Sequence, residues 1–548
     1  YAAKLRACHV LVDAEERRAI IREGAAKAAA ARGLALVPDE GLVAENAGLT
    51  EWPVPLLGGF DPAFLEVPRE VIQLTMRTNQ KYFACVDAAG ALAPAFVCTA
   101  NIEATDGGAA IVAGNAKVLA ARLSDAKFFW EQDLKVPLAE QAKKLAGIVF
   151  HERLGTVAGK VERVAKLAEW LVQERLIKGA DPEEVRAAAR LAKADLASEL
   201  VGEFPELQGV IGGYYARAQG RSDAVADAIR DHYKPAGQGD DVPVDPVTVA
   251  VNIADRLDTL VAFFSIGEKP TGSRDPFALR RAALGFLHIL TRSGLRLPLS
   301  DVLVQAAVLL ILSRLGALAS VSFPDLPDLD ERAHEITAGV GSFTYRHGDR
   351  VVVRWDAALT LNLERGKVIE EATRLAEEVL DFLEDRLKVQ QREAGVRHDL
   401  VDAVFALGGE DDLVRLLARV KALQSFVEKP EGADLLAGYK RAANILKREE
   451  WTAEQARNKT LSYTPEIEET ELDDALDSAE PRVAAALAEE DFERAMAALA
   501  SLRPPVDAFF DKVTVNDPDE NKRAARLNLL ARMRDAVHRV ADFSRIEG

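Results

Sequence analysis

The stretch Lys269-Pro-Thr-Gly-Ser-Arg-Asp-Pro-Phe-Ala-Leu-Arg-Arg-Ala-Ala-Leu-Gly285 is a cationic loop that leads directly into the start of a helix. Asp275 can cap that helix, and Pro276 suits its first position because proline has a helical φ and lacks the N–H that would be unpaired there. Arg280 and Arg281 fall outside the apolar stripe of the helix. The spacing predicts that this stripe faces a core, and its members are Leu279, Ala283, Phe286, Leu287 and Leu290.

The loop from Lys269 to Arg274 contains cations and no carboxylate, and it precedes the positive end of the helix dipole. A phosphate would be attracted to such a place. The alternative is a capped helix with two solvated arginines, and the local pattern does not separate the two interpretations. A P-loop is excluded, because Ser273 stands where the spacing of Gly267 and Gly272 would require the lysine.

The chain has 548 residues, which is too long for one core, so three or four domains are expected. Its 49% hydrophobic and 28% charged residues are typical of a largely helical soluble protein. Cys8, Cys85 and Cys98 have neither disulfide nor metal-ligand spacing, which favours a cytoplasmic location. No apolar run approaches membrane-spanning length, so we expect no membrane partner.

The net charge of −18 argues against non-specific binding of nucleic acid by the chain as a whole, because the summed charge repels a phosphate backbone. Local clusters of lysine and arginine can still bind. Such clusters occur near 269–281, 440–448 and 522–539. Any contact with RNA is therefore expected at these three places.

The pattern along the chain predicts a mainly α, multidomain protein. Residues 1–139 form a mixed α/β region, with short strands expected at 51–57, 71–76, 81–86 and 95–99 and a turn at Asp87–Gly90. Residues 140–315 form a helical domain. Residues 316–369 are a linker or insertion in which 343–355 has the pattern of a β-hairpin. Residues 370–548 are helical again.

Several separated motifs together carry a resemblance to the beta subunit of bacterial two-subunit glycyl-tRNA synthetase, and they occur in the order of that family across nearly the whole chain. They are Phe64-Leu-Glu-Val-Pro68, Asn79-Gln-Lys-Tyr-Phe83, Ala100-Asn-Ile-Glu103, Ala121-Arg-Leu-Ser-Asp-Ala-Lys-Phe-Phe129, Leu154-Gly-Thr156, Gly202-Glu-Phe-Pro-Glu-Leu-Gln-Gly209, the 269–285 stretch, Tyr439-Lys-Arg-Ala-Ala-Asn-Ile-Leu446 and Val540-Ala-Asp-Phe-Ser544.

The resemblance implies a tetramer of two alpha and two beta subunits. The alpha subunit of that family holds the catalytic core and uses ATP and Mg, so we expect no cofactor bound by this chain and no catalytic residue in it. The beta subunit resembles a tRNA-handling chain with a C-terminal anticodon-binding domain. In the family the beta chain begins upstream of where Tyr1 falls, so the sequence is interpreted as N-terminally truncated.

With this resemblance the basic clusters become candidate contacts for tRNA-Gly. The 269–285 stretch is expected to contact the tRNA backbone or the partner subunit. The C-terminal candidates are expected near the anticodon loop, where cations hold phosphates and an amide reads base edges. The candidate residues are Lys269, Arg274, Arg280, Arg281, Lys440, Arg441, Asn444, Arg526 and Arg534.

The central domain of the family resembles the HD phosphohydrolase fold, which offers an alternative function. Such enzymes need a central His-Asp pair, but here the pair is Ala194-Asp195, with His151 and Asp255 at the outer positions. We therefore expect a degenerate site without metal. The other His-Asp dipeptide begins at His398 and is interpreted as a helix start. A third possibility is an assembly scaffold that does not bind RNA.

Overall fold

The computed structural model describes residues 1–237, 239–315, 337–339, 342–347, 350–356, 365–451 and 463–547. Within them the chain is mostly helical and has a small sheet near its N-terminus, as the sequence predicts. The chain divides into two compact units. The first unit contains Tyr1–Ala165 and Asp181–Tyr233, and the second contains Lys166–Ala180 and Lys234–Gly548. No helix in the described ranges is long and apolar enough to cross a membrane.

The first unit begins with an antiparallel sheet of four strands in the order β1-β3-β4-β2. Ile21 and Ala25 of α2 pack with Phe83 and Val97 of the sheet in one apolar core. The predicted turn lies between β3 and β4, where Gly90 N–H donates to Asp87 O. The elements are α1 (Ala2–Ala7), α2 (Ala14–Ala30), β1 (Ala35–Leu36), α3 (Glu40–Leu49), β2 (Val54–Gly59), α4 (Arg69–Thr75), β3 (Phe83–Val86) and β4 (Leu92–Ala100).

One strand prediction was wrong. Residues 71–76 belong to α4 and the short π-helical turn that follows it at Met76–Gln80. Val71, Ile72 and Thr75 are buried, and Met76 is buried beside them. Buried residues that lie one and four positions apart share one face of a helix. A run of six residues of mixed polarity is too short to distinguish this pattern from that of a strand.

The rest of the first unit is mostly helical, and the buried carboxylate of Asp133 connects several of its helices. This carboxylate accepts hydrogen bonds from the N–H groups of Glu199 and Leu200 and from the hydroxyl of Tyr215. It thereby caps α9 and fixes α10 to the end of α5. The elements are α5 (Ala109–Asp133), α6 (Leu138–Lys144), β5 (Val149–His151), β6 (Gly155–Thr156), α7 (Val157–Gln173), α8 (Pro182–Leu191), α9 (Glu199–Glu203), α10 (Val210–Ala218) and α11 (Asp223–Asp231); α7 continues past Ala165 into residues of the second unit.

The second unit is built on a group of packed helices in which α12 and α14 are almost entirely buried. The stripe predicted on α13 is confirmed, because all five of its apolar residues are buried. The elements are α12 (Pro246–Ser265), α13 (Leu279–Ser293), α14 (Leu299–Arg314) and α15 (Arg365–Glu393). Between α14 and α15 lie β7 (Thr337–Gly339), β8 (Ser342–His347) and β9 (Arg350–Asp356). The antiparallel pairing of β8 with β9 agrees with the predicted hairpin, whose turn residues 348 and 349 lie outside the described ones.

The C-terminal part of the second unit is a helical bundle. Its helices bury apolar stripes against one another, including Leu435, Tyr439 and Leu446 of α18 and Leu527, Leu530 and Met533 of α22. The elements are α16 (His398–Phe405), α17 (Leu413–Val427), α18 (Pro430–Arg448), α19 (Ile467–Ala488), α20 (Phe492–Ala500), α21 (Arg503–Lys512) and α22 (Glu520–His538). As predicted, His398 stands at a helix start.

Candidate nucleic-acid interface

The cationic stretch before α13 is organised by the carboxylate of Asp275. Its two oxygens accept hydrogen bonds from the N–H groups of Leu279 and Arg280, each at 2.9 Å. Asp275 therefore caps the helix, as the sequence predicted, but from four residues before its start. The prediction that Pro276 occupies the first helical position was wrong, because Ala278 adopts a left-handed conformation with φ of 54° and the helix begins only at Leu279.

This cap changes how an anion can be held here. The first N–H groups of α13 already donate to a carboxylate, and that negative charge lies at the positive end of the helix dipole. A phosphate would compete with Asp275 for the same donors. The side chains of the loop and of the first helical turn are therefore the groups that can bind an anion.

Lys269 is an exposed cation that already has an acidic partner. Its ammonium lies 2.9 Å from the carboxylate of Glu378 on α15 and 5.5 Å from the centre of the Phe264 ring. The hydrogen bond and charge of Lys269, together with nearby Arg374, lower the pKa of Glu378, so this carboxylate is ionised at neutral pH. The positive charge of Lys269 is thus largely balanced within the chain.

The three arginines of this stretch remain available to a ligand. Arg274 and Arg281 are exposed and have no side-chain ion pair among the described residues. Arg280 is half-buried, and its guanidinium donates to the carbonyl of Gly272 at 2.5 Å, which leaves its charge uncompensated. Gly272 lies in a tight turn in which the backbones of Thr271 and Arg274 pair with each other. The structure thus brings Arg280 and the loop together.

The second candidate group lies on the solvent face of α18. Arg441 and Asn444 are exposed and one helical turn apart, and Lys440 beside them is half-buried. The guanidinium of Arg441 lies 4.4 Å from the centre of the Phe510 ring and donates to the Phe510 carbonyl at 3.3 Å. This packing holds the guanidinium in place and leaves its charge exposed. Lys447 and Arg448 extend the exposed cationic face by one turn.

Arg526 does not belong to this exposed face. Its side chain is 1% exposed and forms ion pairs with Glu466, Glu469 and Asp517. The guanidinium also donates to the Thr514 carbonyl. The structure gives this arginine an internal role instead of the RNA contact that the sequence suggested.

The other arginines of α22 also form ion pairs with acidic side chains. Arg532 pairs with Asp473, Asp477 and Glu480, which follow one another along α19. Arg534 is 25% exposed and pairs with its neighbour Asp535 at 2.8 Å. The sequence analysis missed this acidic stripe, although its helical spacing was a visible signal. The basic cluster at 522–539 is consequently the weakest of the three candidates.

Asp195 and His151, which the sequence analysis placed at degenerate HD-type metal positions, make other contacts. Asp195 is fully buried, and its Oδ2 accepts hydrogen bonds from Gly209 N at 2.6 Å and Gly212 N at 3.0 Å, which caps α10. Burial raises its pKa to about 6. His151 lies in β5, where its Nδ1 accepts from Arg153 N, and Asp255 lies in α12. In the described ranges no three His, Cys, Asp or Glu side chains are grouped to hold a metal ion.

Comparisons with known proteins match these regions. A DALR anticodon-binding domain matches residues 435–543, which include the cationic face of α18. The family of the glycyl-tRNA synthetase beta subunit matches residues 1–406. The glycine–tRNA ligase beta subunit of Rhodospirillum centenum is 49% identical over all of this chain and 69% of its own length. The beta subunits of Phenylobacterium zucineum and Paracoccus denitrificans are 48% and 44% identical, over all of this chain and 71% of theirs.

These matches define a component of an aminoacyl-tRNA synthetase. More narrowly, the chain belongs to the family of the glycyl-tRNA synthetase beta subunit. The resemblance carried by the sequence motifs is thereby confirmed.

Proposed function

We propose that this chain binds tRNA-Gly and positions it for ATP-dependent glycylation at the active site of a separate alpha subunit. The observation that carries the proposal is the exposed face of α18, where Arg441 and Asn444 project from a segment that matches an anticodon-binding domain. Cations and an amide on one surface suit a single-stranded loop, because the cations hold phosphates and the amide reads base edges.

The proposed contribution to the reaction is positional. A tRNA held at its anticodon end and at a second point presents its 3′ end in a restricted orientation, and orienting a reactant supplies a large part of many rate enhancements. We assign the anticodon end to Lys440, Arg441 and Asn444, with Arg534 as a lesser contact. Lys269, Arg274, Arg280 and Arg281 are the second point, on tRNA backbone or on the partner subunit.

The assembly we propose is a tetramer of two alpha and two beta subunits in the cytoplasm. ATP and Mg act on the alpha subunit, and this chain binds no cofactor of its own. We also propose that the central helical region has an HD-like fold whose metal site is degenerate. The capping role of Asp195 and the alanine at position 194 support that assignment, because the central histidine ligand is missing.

The decisive experiment is glycine charging of tRNA-Gly by this chain alone, by the cognate alpha subunit alone and by their mixture. We expect charging only in the mixture. A binding titration of tRNA-Gly with this chain is run in parallel. If the mixture charges no better than the alpha subunit and the chain does not bind tRNA-Gly, the proposed function is wrong. Tight binding of tRNA-Gly without charging by the mixture would indicate that the two subunits do not assemble.

A further inference from the structure

Arg296 lies in the short loop between α13 and α14, and its guanidinium contacts two other loops of the second unit. Its two terminal nitrogens donate to the two carboxylate oxygens of Glu490, at 2.7 and 3.0 Å. Its Nε donates to the carboxylate of Asp412. A fork of two parallel hydrogen bonds is the strong form of an arginine–carboxylate pair. We refer to Arg296, Asp412 and Glu490 below as the Arg296 network.

The three side chains of the Arg296 network come from different parts of the chain. Arg296 belongs to the segment that matches the beta-subunit family. Glu490 lies 194 positions later, in the segment that matches the anticodon-binding domain, and Asp412 lies between the two matched segments. The network therefore connects the group of helices α12–α15 to the C-terminal helical bundle.

The loop that contains Asp412 also satisfies the starts of two helices at this place. Asp412 accepts hydrogen bonds from the N–H groups of Val414 and Arg415, at 3.1 Å each, and thereby caps α17. Its neighbour Asp411 accepts the N–H group of Ser300 at 2.8 Å, in the first turn of α14. Unpaired N–H groups at a helix start need such acceptors. One loop thus contacts both parts of the unit.

Glu490 has an unusual backbone for a residue with a side chain. It adopts a left-handed conformation, with φ of 58°, in the turn between α19 and α20. Glycine usually stands at such positions, because a side chain is strained there. A glycine would lack the carboxylate that Arg296 binds. Hydrogen bonds from Arg296 lower the pKa of Glu490, so the pair is charged at neutral pH. Strain at a residue that makes such a contact points to a role for the contact.

Two other features join the same two parts of the unit. The chain passes from α15 to α16 through residues 394–397, and α13 contacts α17. Arg296 and Glu490 are 44% and 37% exposed, and single exposed ion pairs contribute little to stability. An arginine that binds one carboxylate with both prongs and a second one beside it instead restricts rotation. We therefore expect the orientation of the bundle, and not its folding, to depend on this network.

We propose that Arg296 is a positioning residue that holds the bundle carrying the cationic face of α18 in a fixed orientation relative to the 269–285 stretch. This inference rests on the proposed function, in which tRNA-Gly contacts both places. Two contacts with one ligand strengthen each other only where their spacing matches that of the ligand. A fixed bundle thus binds tRNA more tightly and presents its 3′ end more often in the productive orientation.

The test uses two RNA probes, which are whole tRNA-Gly and a hairpin with the sequence of its anticodon stem and loop. Each is titrated against the wild-type chain, Arg296→Ala, Glu490→Gln and the double variant. Each chain is also assembled with the alpha subunit and assayed for charging and for glycyl-adenylate formation. Arg292→Ala is the matched control, because Arg292 is an exposed arginine near the end of α13 and forms no ion pair among the described residues.

Arg296→Ala should weaken binding of whole tRNA-Gly about three- to tenfold, because the two contacts no longer act together. The kcat of charging should fall by a similar factor. Binding of the hairpin and adenylate formation should stay at the wild-type level, as should every quantity in Arg292→Ala. Glu490→Gln should cause a smaller loss of the same kind. The double variant should be no worse than Arg296→Ala, since the two side chains act through one contact.

Equal losses for the hairpin and for whole tRNA-Gly would overturn the inference, because Arg296 would then support the α18 face itself. Unchanged binding and charging of whole tRNA-Gly by Arg296→Ala would overturn it as well, and so would additive losses in the double variant. The proposed function fails separately, if neither RNA binds to the wild-type chain.

Discussion

Arg526 and Glu469 form an ion pair in the interior of the C-terminal helical bundle, where their side chains are only 1% and 2% exposed. Glu466 and Asp517 complete the carboxylate shell of the guanidinium. Glu469 also accepts the hydroxyl of Tyr463 at 2.8 Å. The pair connects α22 to the start of α19. Each charge is stabilised by the other, because neither is solvated.

Arg526→Ala should therefore act on stability. Removing one partner of a buried pair leaves an uncompensated charge, so the free energy of unfolding of the bundle should fall by about 3–5 kcal/mol. Chemical denaturation followed by circular dichroism measures this. Arg539→Ala is the matched control, because Arg539 is exposed and forms no ion pair among the described residues. An Arg526→Ala chain of normal stability that no longer binds tRNA would show that Arg526 is a direct contact instead.

Arg441→Ala should weaken binding of tRNA-Gly and leave glycyl-adenylate formation by the assembled complex unchanged. The guanidinium is held against Phe510 and carries exposed charge, so its loss should lower the salt dependence of binding by about one phosphate contact. Filter binding at several salt concentrations and an adenylate assay measure the two quantities. Simultaneous loss of both activities would contradict the assignment.

Two further variants sharpen that test. Asn444→Ala should reduce the preference for tRNA-Gly over tRNAs with other anticodons without altering the salt dependence, since an amide reads bases and carries no charge. Arg494→Ala is the control for charge, because Arg494 is 49% exposed in the same bundle and pairs with Glu489. It should bind tRNA-Gly as the wild type does.

Glu378→Gln should strengthen tRNA binding at low salt about two- to fivefold. The substitution releases Lys269 from its carboxylate partner and removes a nearby negative charge. Glu377→Gln is the control, because it makes the same charge change at an exposed neighbour. Equal gains from both substitutions would indicate a general charge effect and would remove Lys269 from the interface.

The ion pair between Lys269 and Glu378 also predicts that the stability of the fold depends on pH in the acid range. The pKa of Glu378 is lowered in the folded state, so its contribution to stability is present above the unfolded pKa of about 4.5 and is lost as the pH falls through the folded value. In Glu378→Gln this loss should disappear. The effect should be small, below about 1 kcal/mol, because the pair is partly exposed to solvent.

Asp195→Asn should change the pH dependence of stability in the opposite sense. Burial raises the folded pKa of Asp195 to about 6, so the native state holds a proton that the unfolded state has already released. Stability from this group therefore falls as the pH rises from about 4 to about 6. Relative to wild type, the variant should gain about 3 kcal/mol across that interval, measured by denaturation at each pH. Parallel curves for the two proteins would show that Asp195 is solvated.

The features that the sequence predicted best were those that local periodicity controls. The stripe on α13 is buried as expected, because residues three and four apart share a helix face whatever lies opposite. The start of that helix was misplaced by three residues, since the left-handed Ala278 leaves no mark in the sequence. Residues 71–76 were assigned to a strand because six residues do not separate a period of 2 from one of 3.6.

The roles of single charges were harder to predict, because they depend on distant partners. Arg526 is neutralised by Glu469, which lies 57 positions earlier in the chain, and Lys269 by Glu378. A list of basic clusters therefore overestimated 522–539.

Arg526 and Arg532 of α22 form ion pairs with acidic side chains of α19 in the C-terminal helical bundle. The charges of these two arginines are thus compensated within the chain, whereas the exposed cations Arg441, Lys447 and Arg448 lie together on α18 of a chain whose net charge is −18. A distant polyanion should be repelled by the net charge, and attraction should begin only within about a Debye length of these exposed cations. Encounters in most orientations should thus dissociate at once, and only those that bring the RNA to this face of α18 should last long enough for a base to be read.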